Sequence, residues 1–180
     1  MKTILLTLLA VALAAVVALA VVVFGGFVDV AATTPGSPLA DRLLHAARES
    51  AVGRGARAVE VPPLDDPGRL ARGLVAYHRL CAGCHGAPGV APAAPAQGLN
   101  PLPPELAGHG GEDPARVFWI TRHGIRMTGM PAFGPTRSDE EIWDLVAAVA
   151  ALGEMTPEAY GRAVAAGAEE PLAEGSGAGF

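Results

Sequence analysis

The most constraining feature of the sequence is the segment Cys81-Ala82-Gly83-Cys84-His85, which contains both cysteines of the 180-residue chain. Two thiols at this spacing can each add to one vinyl group of the same porphyrin, and the histidine that follows is then placed to bind the iron. The segment is therefore the attachment sequence of a c-type haem. It predicts Cys81 and Cys84 as covalent anchors and His85 as an axial ligand.

Two other uses of a cysteine pair fit the chain less well. A thioredoxin-like dithiol expects a strand and a helix around the motif, whereas the residues before Cys81 are patterned as a helix. A structural zinc site needs four ligands, commonly with a second cysteine or histidine pair at a similar spacing, and the sequence contains no such pair. We therefore expect one covalently bound haem c.

A haem with both axial positions filled needs a second ligand, and one segment downstream offers candidates. Met130 is favoured, because Gly129 lets the backbone approach the ring closely and Pro131 fixes the chain direction after the thioether. Met127, His123 and an open axial site are the weaker alternatives. A methionine opposite a histidine raises the reduction potential of the iron and closes it to substrates. This ligand pair indicates an electron carrier and not an oxygenase.

Helix-start and helix-stop residues predict three helices around the motif. The first two begin with an aspartate cap and a proline, and the third begins with a capping box. Their starts are Asp66-Pro67, Asp113-Pro114 and Ser138 with Glu141, and their ends are Cys81, Gly124 and Gly153. No alternating run between them is long enough for a sheet, so we expect an all-α domain. Residues 86–111 form a proline-rich loop, and so long a loop in a small domain requires something to pack beneath it.

The N-terminal region is a run of 26 uncharged residues, from Thr3 to Val28, most of them Leu, Ala and Val. Roughly 20 apolar residues span a bilayer as a helix, and a cleaved signal usually has a shorter apolar run. We expect an uncleaved single-span anchor, with a cleaved signal as the alternative. Lys2 flanks the run on one side and Asp29 on the other, so the positive-inside tendency keeps the N-terminus in the cytoplasm and exports the rest.

The composition divides the chain into four parts. These are residues 1–28 (membrane anchor), 29–64 (tether with a possible short helix that runs from Pro38 toward Gly53, followed by linker that includes Gly53 and Gly55), 65–153 (candidate domain) and 154–180 (acidic tail, expected to be disordered after a possible short helix). The chain carries 13 basic and 18 acidic side chains, and no stretch is basic enough to form a nucleic-acid surface. Nucleic acid is therefore excluded as a partner.

Residues 65–153 resemble a class I monohaem cytochrome c domain, and residues 1–153 together resemble the membrane-anchored bacterial members of that family. The matching stretches are 73–77, 81–86, 124–125, 128–134 and 141–146. The resemblance implies an all-α fold wrapped around haem. It further implies Cys81 and Cys84 as thioether attachments, His85 as the proximal ligand and Met130 as the distal ligand.

The resemblance also predicts details of packing. The first and last helices of the domain are expected to cross near Gly73, whose missing side chain permits close contact. Ala148 stands where the family often has an aromatic residue, so we expect Tyr77 or Trp143 to fill the space. A proline carbonyl is expected to accept the ring N–H of His85, and the candidates are Pro95, Pro101, Pro103 and Pro104.

The implied function is outer-sphere transfer of single electrons between a redox protein donor and acceptor of respiratory type. The expected location is the periplasmic face of a bacterial inner membrane, and the chain is expected to be a carrier and not an enzyme. Two alternatives stay open. One is the haem subunit of a stable dehydrogenase or oxidase complex. The other is a haem enzyme or gas sensor with a labile distal ligand.

Overall fold

The computed structural model describes residues 1–108 and 111–167. Within these ranges the chain forms seven α-helices, one short 3₁₀ helix at Ala94–Gly98 and no strand, which confirms the expected all-α fold. The α-helices are α1 (Lys2–Phe24), α2 (Pro38–Ala56), α3 (Pro67–Leu80), α4 (Ala82–His85), α5 (Pro114–His123), α6 (Asp139–Leu152) and α7 (Pro157–Gly167). The chain divides into two compact units, Met1–Pro35 and a second unit that begins at Gly36.

Helix α1 makes up most of the first unit, and none of its residues is buried. Its mean hydropathy is 3.0 over an 18-residue window. A helix of 23 residues is about 35 Å long at ~1.5 Å per residue, which exceeds the ~30 Å hydrocarbon core of a bilayer. By length and composition α1 fits a single-pass membrane anchor.

Helices α3, α5 and α6 begin at the caps that the sequence predicts. The Asp66 carboxylate accepts a hydrogen bond from the backbone N–H of Arg69 at 2.8 Å, and Asp113 caps α5 in the same way. The hydroxyl of Ser138 accepts from the backbone N–H of Glu141 at 3.3 Å, and the Glu141 carboxylate accepts from the backbone N–H of Ser138 at 2.9 Å. These bonds satisfy backbone donors that the first turn of a helix leaves without partners.

The crossing of α3 and α6 is centred on Gly73. A Cβ atom at this position would lie 1.9 Å from the backbone oxygen of Asp144 and 3.2 Å from the Cβ of Ala148. The Asp144 carboxylate, which is largely buried, accepts two hydrogen bonds from the Arg72 guanidinium, at 2.8 and 3.1 Å. The predicted close contact at Gly73 is confirmed, and an ion pair stands beside it.

Tyrosines fill the core around Ala148. Tyr77 is fully buried in the same apolar cluster as Ala148, in agreement with one of the two expected compensations. Tyr160 of α7 joins the same cluster and is 1% exposed. Trp143 belongs to a second cluster, where it stacks on Phe118 with ring centroids 4.2 Å apart. The alternative compensation by Trp143 is therefore not the one that the structure uses.

The position of α7 corrects the expected end of the domain. Residues 157–167 form a helix that packs against α3, so the core continues past residue 153. The phenol oxygen of Tyr160 lies 3.1 Å from Nδ1 of His78 on α3. Residues 168–180, for which the sequence predicts a disordered acidic tail, lie outside the described residues.

Helix α2 is the helix expected within the tether, and it extends further than the sequence predicts. The sequence places linker glycines at positions 53 and 55, but the helix continues through both and ends at Ala56. Val52 and Ala56 are buried, and α2 contacts α5. The apolar side chains of Val59 and Leu64 then pack against the cluster of Phe118 and Trp143. The second half of the predicted tether is thus part of the folded unit, because its small and aliphatic residues bury apolar surface there.

Candidate haem-binding site

The two cysteines lie on one turn at the end of α3. The backbone N–H of Cys81 still bonds to the carbonyl of Tyr77 at 2.8 Å, and the carbonyl of Cys81 accepts from the N–H groups of Cys84 and His85 at 3.0 and 2.9 Å. The phenol of Tyr77 donates to the carbonyl of Gly86 at 2.7 Å and fixes the end of the turn. Both thiols and the imidazole are therefore held on one short, internally bonded segment.

The environment of Cys81 is mostly apolar. Burial, followed by the neighbouring Cys84 thiol, raises the pKa of Cys81 to about 12. Burial likewise raises the pKa of Tyr77 above its ordinary value. The Cys81 thiol therefore stays neutral, and a thioether, which does not titrate, would keep the sulfur neutral in the same half-buried position.

His85 is oriented by a proline carbonyl. Its Nδ1 donates to the backbone oxygen of Pro104 at 2.8 Å, and its own carbonyl accepts from the N–H of Leu106 at 3.0 Å. Of the four candidates that the sequence leaves open, the structure selects Pro104. A ring whose Nδ1–H is engaged in this way presents Nε2 as the free lone pair, which is the arrangement of a metal-binding histidine.

Met130 lies on a separate loop that is anchored to the end of α5. Gly124 ends α5 with a φ of +63°, and a Cβ there would lie 2.8 Å from the carbonyl oxygen of Met130. The Met130 carbonyl accepts from the N–H of Ile125 at 3.2 Å, and its own N–H donates to the hydroxyl of Thr128 at 3.1 Å. Thr128 is not among the residues predicted from the sequence to hold this loop, although a threonine hydroxyl that accepts from the N–H two residues later is a known feature of turns.

The two alternative ligands on this segment have different environments. Met127 is 91% exposed and has a φ of +60°, a left-handed conformation that is uncommon outside glycine. His123 is exposed and its ring lies against Trp119, with centroids 4.9 Å apart. Neither side chain shares the half-buried position of Met130.

The proline-rich loop touches both parts of the candidate site. Near its middle, Leu99 packs so closely on Gly129 that a Cβ at Gly129 would lie 2.8 Å from two of its carbon atoms. Further along, Pro104 bonds to His85. The cysteines and His85 form one group and Met130 lies on another, and this loop connects the two.

These residues fit a covalent haem by the chemistry of their donors. Two half-buried thiols, an imidazole with Nε2 free and a thioether on an anchored loop are the groups that such a cofactor takes. An open cavity of about 410 Å³ beside His85 is lined by the following loop but by neither cysteine and not by Met130.

Comparison with known proteins gives one match. Residues 68–147 match the family described as cytochrome c oxidase, cbb3-type, subunit III. No curated protein and no solved structure matches the chain. The matched residues include α3, the cysteine pair, α5, the Met130 loop and most of α6, whereas α1, α2 and α7 lie outside them.

Proposed function

We propose that this chain carries single electrons with a haem ligated by His85 and Met130, since residues 68–147 match a family of c-type cytochrome domains. The observation that carries the proposal is the bond from Nδ1 of His85 to Pro104, which leaves Nε2 for the iron beside the two attachment thiols. The cofactor supplies a reversible one-electron change at iron, and the protein determines its potential and its access.

The residues of this chain have separable roles in that proposal. Cys81 and Cys84 would hold the haem covalently, each S–H bond adding across one vinyl group to give a C–S and a C–H bond with no net exchange of electrons. His85 would offer its Nε2 lone pair to the iron, with the ring held in the required tautomer by the bond to Pro104. Met130 would contribute a thioether, which excludes small ligands and raises the reduction potential.

The membrane location follows from α1. One apolar helix at the N-terminus fits a single-pass anchor, and Lys2 on its N-terminal side favours a cytoplasmic N-terminus. We place the haem domain on the periplasmic side of a bacterial inner membrane, between a redox protein donor and acceptor of respiratory type. Family members acquire haem outside the cytoplasm, which agrees with this orientation.

The decisive experiment is the absorption spectrum of the reduced full-length protein with and without carbon monoxide, after production in a host that matures c-type cytochromes. We expect a low-spin spectrum that carbon monoxide does not change. Met130→Ala should retain covalent haem but react with the gas, whereas Met127→Leu, at an exposed position, should behave as the wild type. A wild-type protein that binds carbon monoxide fully would contradict the assignment of Met130 and favour the sensor or enzyme alternative.

A second candidate is a haem subunit of a stable oxidase complex. The description of the matching family as an oxidase subunit favours it, and the anchor is compatible with either role. Purification from membranes in mild detergent distinguishes the two. Recovery with integral oxidase subunits at a fixed stoichiometry would support the subunit, and recovery of the single chain would support a shuttle.

A further inference from the structure

We infer that α2 is a positioning element for Met130, acting through α5 on the loop that carries this ligand. The inference rests on the proposed function, since it assumes that Met130 binds the iron. Helix α2 lies outside the residues that match the cytochrome family, so nothing in the family match assigns it a role.

Helix α2 contacts the middle of α5. A Cβ at Gly55 would lie 2.1 Å from Nε1 of the Trp119 indole and 2.5 Å from its Cε2. The backbone of α2 therefore lies directly against the ring. Nearly two turns earlier, the Glu49 carboxylate accepts a hydrogen bond from the Arg116 guanidinium. Two separate contacts fix α5 against α2.

Trp119 in turn contacts the end of α5. The indole lies against the imidazole of His123, the last residue of the helix, with centroids 4.9 Å apart. Gly124 follows at once and is closely packed against the backbone of Pro131 and Ala132, where a Cβ would approach to 2.7 Å. A displacement of the indole therefore acts on the residue that immediately precedes the turn on which the Met130 loop folds.

The loop that carries Met130 is attached to α5 by hydrogen bonds. Carbonyls of the last turn of α5 accept hydrogen bonds from the far side of the loop, from Phe133 N–H to Thr121 at 3.1 Å and from Gly134 N–H to Arg122 at 2.9 Å. Both ends of the Met130 loop are thus attached to α5. Its position follows that of α5, and α2 is one of the supports that hold α5.

The test is Gly55→Ala in the full-length, haem-loaded protein, with Gly53→Ala as the matched control. Both substitutions exchange glycine for alanine in the same helix and gain the same helix propensity. At Gly53 the nearest atom to the new Cβ is the flexible end of Arg116 at 3.4 Å, whereas at Gly55 it is a rigid indole at 2.1 Å. Only Gly55→Ala should push Trp119.

We expect Gly55→Ala to keep its covalent haem while the carbon monoxide-reactive fraction of the reduced protein rises about tenfold, as overpacking strain relaxes into the Met130 loop. The reduction potential should fall, because a weakened thioether bond stabilises the reduced iron less. Gly53→Ala should match the wild type in both. Trp119→Phe combined with Gly55→Ala should restore part of the wild-type behaviour, because the smaller ring leaves room for the new methyl group.

Near-ultraviolet circular dichroism of the haem-loaded protein, with Trp119→Phe as the reference that separates the signal of Trp119 from that of Trp143, reports whether the Trp119 contact was displaced. A displaced indole with unchanged carbon monoxide reactivity and potential would overturn the inference. If Gly55→Ala does not accumulate, Glu49→Gln removes the ion pair without adding volume and should shift both readouts in the same direction. A failure of the proposed function is distinguishable, because the wild type itself would then bind carbon monoxide.

Discussion

The packing of α3 on α6 predicts that Gly73→Ala strongly destabilises the domain. The added Cβ would lie 1.9 Å from the Asp144 carbonyl oxygen and 2.6 Å from its carbon, where ordinary contacts begin at 3.4 Å. Both atoms belong to the backbone of α6, so no side-chain rotation can relieve the overlap. The two helices must separate by roughly an ångström, and the cluster around Ala148 then loses close packing.

The expected change in the free energy of unfolding is the difference between two opposing effects. Alanine improves helix propensity over glycine by up to about 1 kcal/mol. Overpacking in a tight core costs ~1–3 kcal/mol, and a backbone obstacle places Gly73 at or above the upper end. The expected net loss is about 2 kcal/mol of the free energy of unfolding, a large share of the ~5–15 kcal/mol of an ordinary domain. The melting temperature should fall by roughly 5–10 °C.

Thermal and urea unfolding, followed by circular dichroism of the haem-loaded protein, measure this loss. Gly68→Ala is the control, because it lies in the first turn of the same helix and its added Cβ would find only ordinary contacts at 3.4 Å. We expect the control to be as stable as the wild type or slightly more stable. A Gly73→Ala protein that melts at or above the wild-type temperature would refute the argument from close helix approach.

Two further predictions concern α7 and the cap of α6. Tyr160→Ala should reduce the free energy of unfolding in urea by about 3–5 kcal/mol, because it empties a buried position. Tyr160→Phe should reduce it by only about 1 kcal/mol, because it removes only the hydrogen bond to His78. Equal losses for the two variants would show that α7 does not fill the core. Burial raises the pKa of Glu141, but hydrogen bonds from Ser138 and Arg137 outweigh it, and the net pKa lies below the ordinary 4.5. The stabilisation from the charged form is therefore present above that value and lost as the pH falls through the lowered pKa. Glu141→Gln should be less stable than the wild type at pH 7 and nearly equal to it in strong acid, and a difference that does not depend on pH would contradict this.

Much of the domain could be predicted from local sequence signals. Asp66, Asp113 and the pair of Ser138 with Glu141 mark helix starts because their side chains bond to the backbone a few residues away. The apolar run of α1 is similarly local, since its length and composition alone suit a bilayer. Gly73 was identified by resemblance, and the contact distances supply its physical reason.

The predictions that needed correction concern long-range packing. Gly53 and Gly55 suggest a linker when only neighbouring residues are considered. In the structure, however, the missing side chain of Gly55 lets α2 lie directly on the Trp119 indole. The acidic, alanine-rich segment around Tyr160 resembles a tail, because one aromatic among small residues gives a weak periodic signal. Its burial depends on the face of α3, more than seventy residues earlier in the chain.

The sequence by itself predicted the cofactor chemistry, because the spacing of Cys81, Cys84 and His85 is a pattern that acts within five residues. It also determined the all-α class of the domain through local helix-start and helix-stop signals. The selection of Pro104 among four prolines depended on tertiary structure, and so did the docking of α2 on α5 and the packing of α7 on α3. These contacts join distant parts of the chain, and each depends on shape and direction at the meeting point. The sequence states which side chains are present, whereas the packing of the folded chain determines which of them are in contact.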